Sequence, residues 1–473
     1  MTIGLTEVAE SGAEIATAPP APAGAVEISN WRLSVYALPS IPIASLYYPV
    51  AILMPAFYAS ALHVSLTSIG VFLLVSRGID VFLDPMIGKW SDGTRACIGR
   101  RKIWMLMGSP LLMVGAWLLF LPPVAPTGWY LLIASFIIYA GGSSVGLPYS
   151  AWGTEIAETY NGRARMAGYR EAAGVIGGVL AALVPAITGH FGHGVDRFTM
   201  GILGGLIIVL TPLTVIIAVF FVAEPAARKR VDIRWLKAIP DLFRNGPFRI
   251  LCGAYVLFNI GASVASATMV FYLSDYLREP TIFGPAILTL TVTTILSVPL
   301  WLYISRRVGK HRAIAYSLFA VMAIFALAVP QLHAGQGLAF VIILGVLGVA
   351  SSGYVTLPIG VIGDVIDFDT LKHRLPRGGL YWGVWSFAQK VTPAFSIAVT
   401  LPLLKWFGFN PGGHSSPKAL LALKYAFCFG GVPFLVAGGL LLLAYPLDAR
   451  RHGIIRRRLL ARERRAPTLA GPS

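Results

Sequence analysis

The sequence predicts an all-α membrane protein with twelve transmembrane helices in two pseudo-symmetric six-helix bundles. Three observations carry that expectation. Apolar runs near 20 residues long recur almost end to end through the 473 residues, and each is long enough to cross a bilayer as a helix. Hydrophobic residues make up 56% of the chain and charged residues 12%, with a mean hydropathy of +0.72, against roughly 25% charged residues in an ordinary soluble domain. Lys and Arg gather in every second connection between runs, the signature of loops held on one side of a membrane. The runs do not alternate apolar and polar residues as barrel strands do.

The elements follow in order. Residues 1–30 are rich in Ala and Pro, carry Glu7, Glu10, Glu14 and Glu27, and lack the positive and apolar regions of a signal peptide. They read as a disordered cytoplasmic tail. Spans are expected near 34–60, 67–90, 103–122, 129–153, 168–190, 200–222, 247–275, 283–304, 312–330, 336–363, 379–407 and 419–445. Most of the 38 Lys and Arg lie after spans 2, 4, 6, 8 and 10 and in the C-terminal tail, whereas the opposite loops hold Arg197, Arg278, Lys405, Lys418 and Lys424. Both termini are therefore expected in the cytoplasm.

The long basic connection after span 6 divides the chain into a bundle at 31–223, a linker at 224–246, a second bundle at 247–446 and a basic tail at 447–473, the layout of a transporter with parallel repeats. A faint internal echo agrees: Gly99-Arg100-Arg101-Lys102 follows span 2, and Gly309-Lys310-His311-Arg312 follows span 8.

The formal charge of +17 does not indicate nucleic acid, because the bases sit between apolar runs and not on a soluble domain. Cys97, Cys252 and Cys428 have no metal-site or disulfide spacing. Gly-rich stretches such as 201–205 fall inside apolar spans, where small residues permit close helix packing. No enzymatic constellation, cofactor or metal site is expected.

Chemistry concentrates in a few deep charges. Arg77, Asp80 and Asp84 share one face of span 2 by their spacings of three and four, and Asp80 lies about 20 Å along the helix, near mid-membrane. An ionised group there costs at least about 2.5–3.5 kcal/mol, so it calls for a polar cavity and a partner. Two readings stand: a coupling-cation site, or an Arg77–Asp80 pair that locks helices together. Lys390 lies about 18 Å along span 11, at a comparable depth. It can neutralise a carboxylate or hydrogen-bond a substrate. Trp385 and Ser386 precede it near the same face within an aromatic stretch, 381–389, whose rings suit sugars but equally suit lipid. In span 4, Pro148 is a candidate kink beside Tyr149 and Trp152, which are expected to bind substrate with Trp385 and Ser386, and Arg170 opens span 5. Asp364, Asp367 and Asp369, with Lys372, Arg374 and Arg377, read as a salt-bridged gate between loops.

The stretch from Arg77 through Asp80, Asp84, Pro85 and Gly88 to Asp92, Arg100, Arg101 and Trp104 resembles the glycoside-pentoside-hexuronide:cation symporters of the major facilitator superfamily. Pro148-Tyr149, Arg163 with Arg170, Asp364 with Asp367, and Gly378 through Lys390 continue the likeness, which covers roughly residues 33–445. The resemblance implies alternating access and symport of a glycoside with Na⁺, Li⁺ or H⁺. It implies that Asp80 and Asp84 bind the cation, that Lys390 links cation and substrate, and that Arg170 holds the sugar. Arg77, Asp92, Arg100 and Arg101 would gate.

The chain also departs from that pattern. Melibiose-transporting members hold sugar with a carboxylate on the first helix and another on the fourth, whereas here 36–42 has no acid and Gly146 occupies the fourth-helix position. Leu83 replaces a polar residue beside Asp84, which lowers the oxygen count for Na⁺ and favours H⁺. Animal lysophospholipid symporters resemble distant relatives of the same family, so an amphiphilic substrate is the alternative; a non-transporting membrane protein is the third. The expected partners are a small-molecule substrate and membrane lipids, the latter touched by the basic tail from Arg450 to Arg465. The expected state is a monomer in a bacterial-type inner membrane.

Overall fold

A computed structural model describes residues 28–156, 160–225, 240, 242–373, 378–447, 453–455 and 457–458. The expected tail before residue 28, most of the 224–246 linker, Arg374, Arg377 and most of the basic tail lie outside the described residues, as does the Arg163 side chain.

Among the described residues, eleven helices are long and apolar enough to cross a membrane. The first six are Asn30–Ala61, Leu66–Gly93, Arg100–Phe120, Gly128–Ile156, Arg165–His190 and Arg197–Phe221. Spans 7 and 9 to 12 are Gly246–Tyr276, Lys310–Gln331, Gly337–Lys372, Gly378–Trp406 and Pro417–Leu443. The remaining span, the eighth, is a pair, Pro280–Leu296 and Val298–Val308, bent by 46°. Pro299 opens the second piece; without an N–H it cannot continue the helical ladder, and the chain turns there. The sequence reading had one uninterrupted run over 283–304. Span 1 is likewise segmented, with wide π turns at Pro49–Leu53 and Phe57–Ala61.

Packing follows the small residues. A Cβ on Gly115 would stand 2.5 Å from the Ile138 backbone nitrogen, and one on Gly141 would stand 2.5 Å from that of Leu112, so the absence of side chains lets spans 3 and 4 touch backbone to backbone. Between the halves, span 2 packs on span 11 and span 5 on span 8. Their closest glycine approaches fall at the end remote from the basic loops: a Cβ on Gly70 would stand 3.0 Å from the Ala398 Cα, and Gly284 lies against Pro185. At that same end Lys405 donates to the Ser65 hydroxyl at 2.8 Å, and the Gly412 N–H donates to Asp275 at 3.1 Å while its α-carbon faces Ser60 of the first half. The bundles are thus pinned together at one end and joined at mid-depth by the side chains described next.

Candidate cation and substrate site

Span 2 carries its charges on a continuous helix, so Arg77, Asp80 and Asp84 project from one face as their spacing requires. Span 11 crosses beside it and delivers Lys390 between the two carboxylates. The ammonium donates to Asp84 Oδ2 at 2.7 Å, to Asp84 Oδ1 at 2.9 Å and to Asp80 Oδ2 at 3.0 Å. Arg77 pairs with Asp80 Oδ2 at 3.2 Å and lies flat over Tyr139, 3.6 Å from the ring centre. Asp80 is 1% exposed, whereas Asp84 and Lys390 retain 20% and 23% of their side-chain surface. The helix-locking pair and the ligand-like pair of carboxylates are one cluster, with two formal positive and two formal negative charges.

Span 4 adds a residue that sequence reasoning missed. Ser143 donates to Asp80 Oδ1 at 2.8 Å and lies 3.2 Å from the Lys390 nitrogen. A lone hydroxyl in the small-residue run Gly141-Gly142-Ser143-Ser144 gives no charge signal. Its depth did give one: Ser143 and Asp80 both stand thirteen residues, about 20 Å, from the basic ends of their spans.

A second cluster belongs to spans 1, 4 and 5. Tyr36 and Tyr149 stack at 4.8 Å and exchange hydrogen bonds, Tyr36 Oη to the Tyr149 carbonyl at 2.7 Å and Tyr149 Oη to the Tyr36 carbonyl at 2.9 Å. Ser40 stands 2.9 Å from the Tyr149 hydroxyl. Arg170 lies over the Tyr149 ring at 4.8 Å and donates from Nη2 to Ser150 Oγ at 3.2 Å. Its Nε is buried and has no acceptor.

Three aromatic or hydroxyl side chains expected to face a ligand are placed differently. Tyr149 and Trp152 are buried, Trp152 edge-on to Tyr36 at 5.4 Å, so they form the wall behind Arg170 and not its accessible surface. Trp385 is also buried, tilted against Tyr255 with centroids 3.6 Å apart. Sequence cannot separate such packing from ligand contact, because both want flat apolar area. Ser386 is exposed one turn before Lys390.

The basic end holds the remaining charges. Arg101 is 1% exposed; it donates to Ser91 Oγ at 2.7 Å and to Glu155 at 2.9 Å, and pairs with Asp92. Arg100 shares Glu155 at 2.9 Å. Glu224, from beyond span 6, accepts the Arg101 N–H at 3.0 Å and so supplies an acid to the free N-terminus of span 3. In the second half Lys310 binds Asp364 at 2.8 Å, and Asp367 lies about one turn further along span 10. Among the described residues, these pairs each join elements of a single half.

A family model described as "MFS/sugar transport protein" matches residues 35–449. The chain is 23% identical over 414 residues to the isoprimeverose transporter of Lactiplantibacillus pentosus, covering 83% of each protein. It is 21% identical over 432 residues to the human sodium-dependent lysophosphatidylcholine symporter 1, covering 84% of this chain and 79% of the relative. The crystal structure of the nucleoside transporter NupG superposes with a TM-score of 0.60 at 14% identity, over 88% of this chain and 98% of that one.

Proposed function

We propose, for a chain that belongs to the MFS/sugar transport protein family, that it is a symporter carrying a sugar, glycoside or similar small polar metabolite together with H⁺ or Na⁺ through Asp80 and Asp84. The observation that carries this reading is the seat of Lys390. A cation from the second half rests on two carboxylates of the first, where a coupling ion would have to sit. Asp80, Asp84 and the Ser143 hydroxyl present the oxygens such an ion needs.

The cycle follows from competition. An incoming ion on Asp84 releases the Lys390 ammonium, which loosens the mid-depth bond between halves and frees a donor toward the substrate cavity. Closure then depends on occupancy: only a carrier with its charges matched has a low-cost route through the closed state. The moving bodies are residues 31–223 and 247–446. With the basic end in the cytoplasm, the contacts at Gly70, Gly284 and Lys405 shut the outer end, and the conformation is open to the cell interior. A single chain in a bacterial inner membrane suffices, with Arg170, Ser386 and the freed Lys390 contacting substrate, and the Arg100–Arg101 and Lys310 networks steadying the inner ends.

The Asp84→Asn protein tests the reading in proteoliposomes. Cation-driven accumulation should fall by at least about tenfold while equilibrating exchange survives; undiminished accumulation removes Asp84 from coupling. Running the wild type with Na⁺ gradients at fixed pH, then pH gradients without Na⁺, identifies the ion. A second reading, an amphiphilic lysolipid-like substrate, is favoured by the aromatic, acid-free first span. Thermal stabilisation by lysolipids and not by glycosides would select it.

A further inference from the structure

At the basic end of the first half, a cavity of about 330 Å³ opens where four spans meet, at the small end of the roughly 300–1,000 Å³ of ligand pockets. Its walls are apolar: Ile28, Leu33 and Tyr36 around the start of span 1, Ile156 at the end of span 4, Met166 in span 5 and Val222 just past span 6. Leu33, Tyr36, Met166 and Val222 are buried, so the floor of the slot is packed interior. None of these residues belongs to the Lys390 cluster.

The lip is charged. Arg32 is the one ionisable guanidinium among the lining residues and is exposed. Its backbone N–H donates to Ser29 Oγ at 3.4 Å, while its side chain has no hydrogen-bond or ion-pair partner among the described residues. Arg165 sets a second positive charge at the same lip, where its Nη2 donates to Asn30 Oδ1 at 2.6 Å and to the Ile28 carbonyl at 3.4 Å. Two acids adjoin the lining in sequence, Glu155 beside Ile156 and Glu224 beside Ala223, but both are turned to Arg100 and Arg101.

The surroundings of the mouth say what lies outside it. Trp31, next to Arg32, is 68% exposed, and Phe220 and Phe221, next to Val222, are 76% and 63% exposed. Rings left bare at the end of a membrane span belong at the boundary between headgroups and acyl chains. An apolar slot with an uncancelled guanidinium at its lip, opening at that boundary, fits a molecule with hydrocarbon at one end and a phosphate at the other.

We propose that this slot is a binding site for an anionic phospholipid from the leaflet at the basic end, with its phosphate on Arg32 and the first part of one acyl chain against Tyr36 and Met166. The guanidinium fork suits a phosphate with two parallel bonds. Net negative charge separates this lipid from its zwitterionic neighbours, because the lip supplies cations and its nearby acids are engaged. Tyr36 also stacks on Tyr149 at 4.8 Å, so an occupied slot backs span 1 where it meets span 4.

Dioctanoyl phosphatidylglycerol and dioctanoyl phosphatidylcholine, matched in chain and different in net charge, test the site. Each is titrated against the purified full chain in a non-ionic detergent, and apparent Kd is read from thermal stabilisation. The anionic lipid should bind about fivefold tighter, the effect of one arginine beside an anionic headgroup. In Arg32→Gln the ratio should fall to near one. In Arg307→Gln, which removes an exposed charge from the basic end of the second half, it should keep its wild-type value; this control separates a site from the general attraction of a basic surface. Ala223→Phe, which narrows the slot from its exposed lip, should weaken phosphatidylglycerol binding by a similar factor.

Equal affinities for the two lipids overturn the proposal, as does a ratio unchanged in Arg32→Gln or lost to the same extent in Arg307→Gln. Ala223→Phe without effect removes the acyl chain from the slot and overturns it too. Glycerol 3-phosphate stabilising as well as the whole lipid would make this a site for free phosphate compounds and not for a lipid. These readouts need no transport, so the outcome stands apart from the symport reading.

Discussion

At the basic end of the molecule, the third span of each half starts at a glycine in the left-handed region, Gly99 at φ 123° and Gly309 at φ 91°, and each glycine is followed by a cation that binds an acid from another element. In the first half this device has become a network of Arg100, Arg101, Glu155 and Glu224, largely buried, with the exposed Asp92 at its edge. In the second, among the described residues, Lys310 pairs with Asp364, and that lysine is 43% exposed. The charges of the candidate site are uneven too: the first half contributes Arg77, Asp80, Asp84 and Arg170, and the second contributes Lys390. One half holds the fixed chemistry, and the other presents a single charge to it.

Substitutions can break or sharpen that comparison. The largest effect is expected at Arg101→Ala, which removes a buried cation from the first-half network. Thermal unfolding in detergent should show a loss of about 3–5 kcal/mol, and a loss below about 1 kcal/mol would erase the distinction between the halves. Next come the two glycines. A Cβ at Gly99 collides with the Glu224 carboxylate, whereas one at Gly309 finds His311 no nearer than 3.5 Å. Both Gly→Ala changes incur backbone strain of about 1–3 kcal/mol, and Gly99→Ala should be the worse of the two in the same assay.

The opposite end offers a comparison by pH. Span 6 is capped by Asp196, which accepts the Thr199 N–H at 2.9 Å, and span 12 by Ser416, which accepts that of Ala419 at 3.2 Å. Burial opposes ionisation of Asp196, but the Thr199 N–H, His193 and the Thr199 hydroxyl outweigh it and hold the carboxyl below its usual range. Its stabilisation is complete above the ordinary carboxylate range and is lost as pH falls through the lowered value. Asp196→Ala should therefore cost about 1 kcal/mol at neutral pH and progressively less in acid, while Ser416→Ala should cost a similar amount at every pH. Smallest of all is Lys310→Ala, at roughly 0.5 kcal/mol for an exposed pair; a cost like that of Arg101→Ala would mean the second half is as tightly bound as the first.

The spans were legible because a bilayer demands about twenty apolar residues per crossing, and that demand is written in composition. The bend at Pro299 and the π turns of span 1 were not, since neither alters apolar content. Depth and facing brought Asp80, Asp84 and Lys390 to one level, and the structure brings them into contact. Ser143 stood at the same level unnoticed, because a hydroxyl costs too little in a helix to stand out. Trp152 and Trp385 are buried in packing, which aromatic residues serve as readily as they serve ligands.

Lys390 is fastened to its helix, so the countercharge that fills the acid pair in the absence of any dissolved ion travels with the protein. The formal charges of Arg77, Asp80, Asp84 and Lys390 cancel, and the membrane voltage exerts no net force on that quartet while an unloaded carrier resets. A coupling ion adds one charge, on which each 100 mV acts with about 2.3 kcal/mol. Under the symport proposed above, the bilayer's electric field would act on these four groups in the loaded stroke and leave the return stroke alone, so the lysine would make the quartet an electrical rectifier.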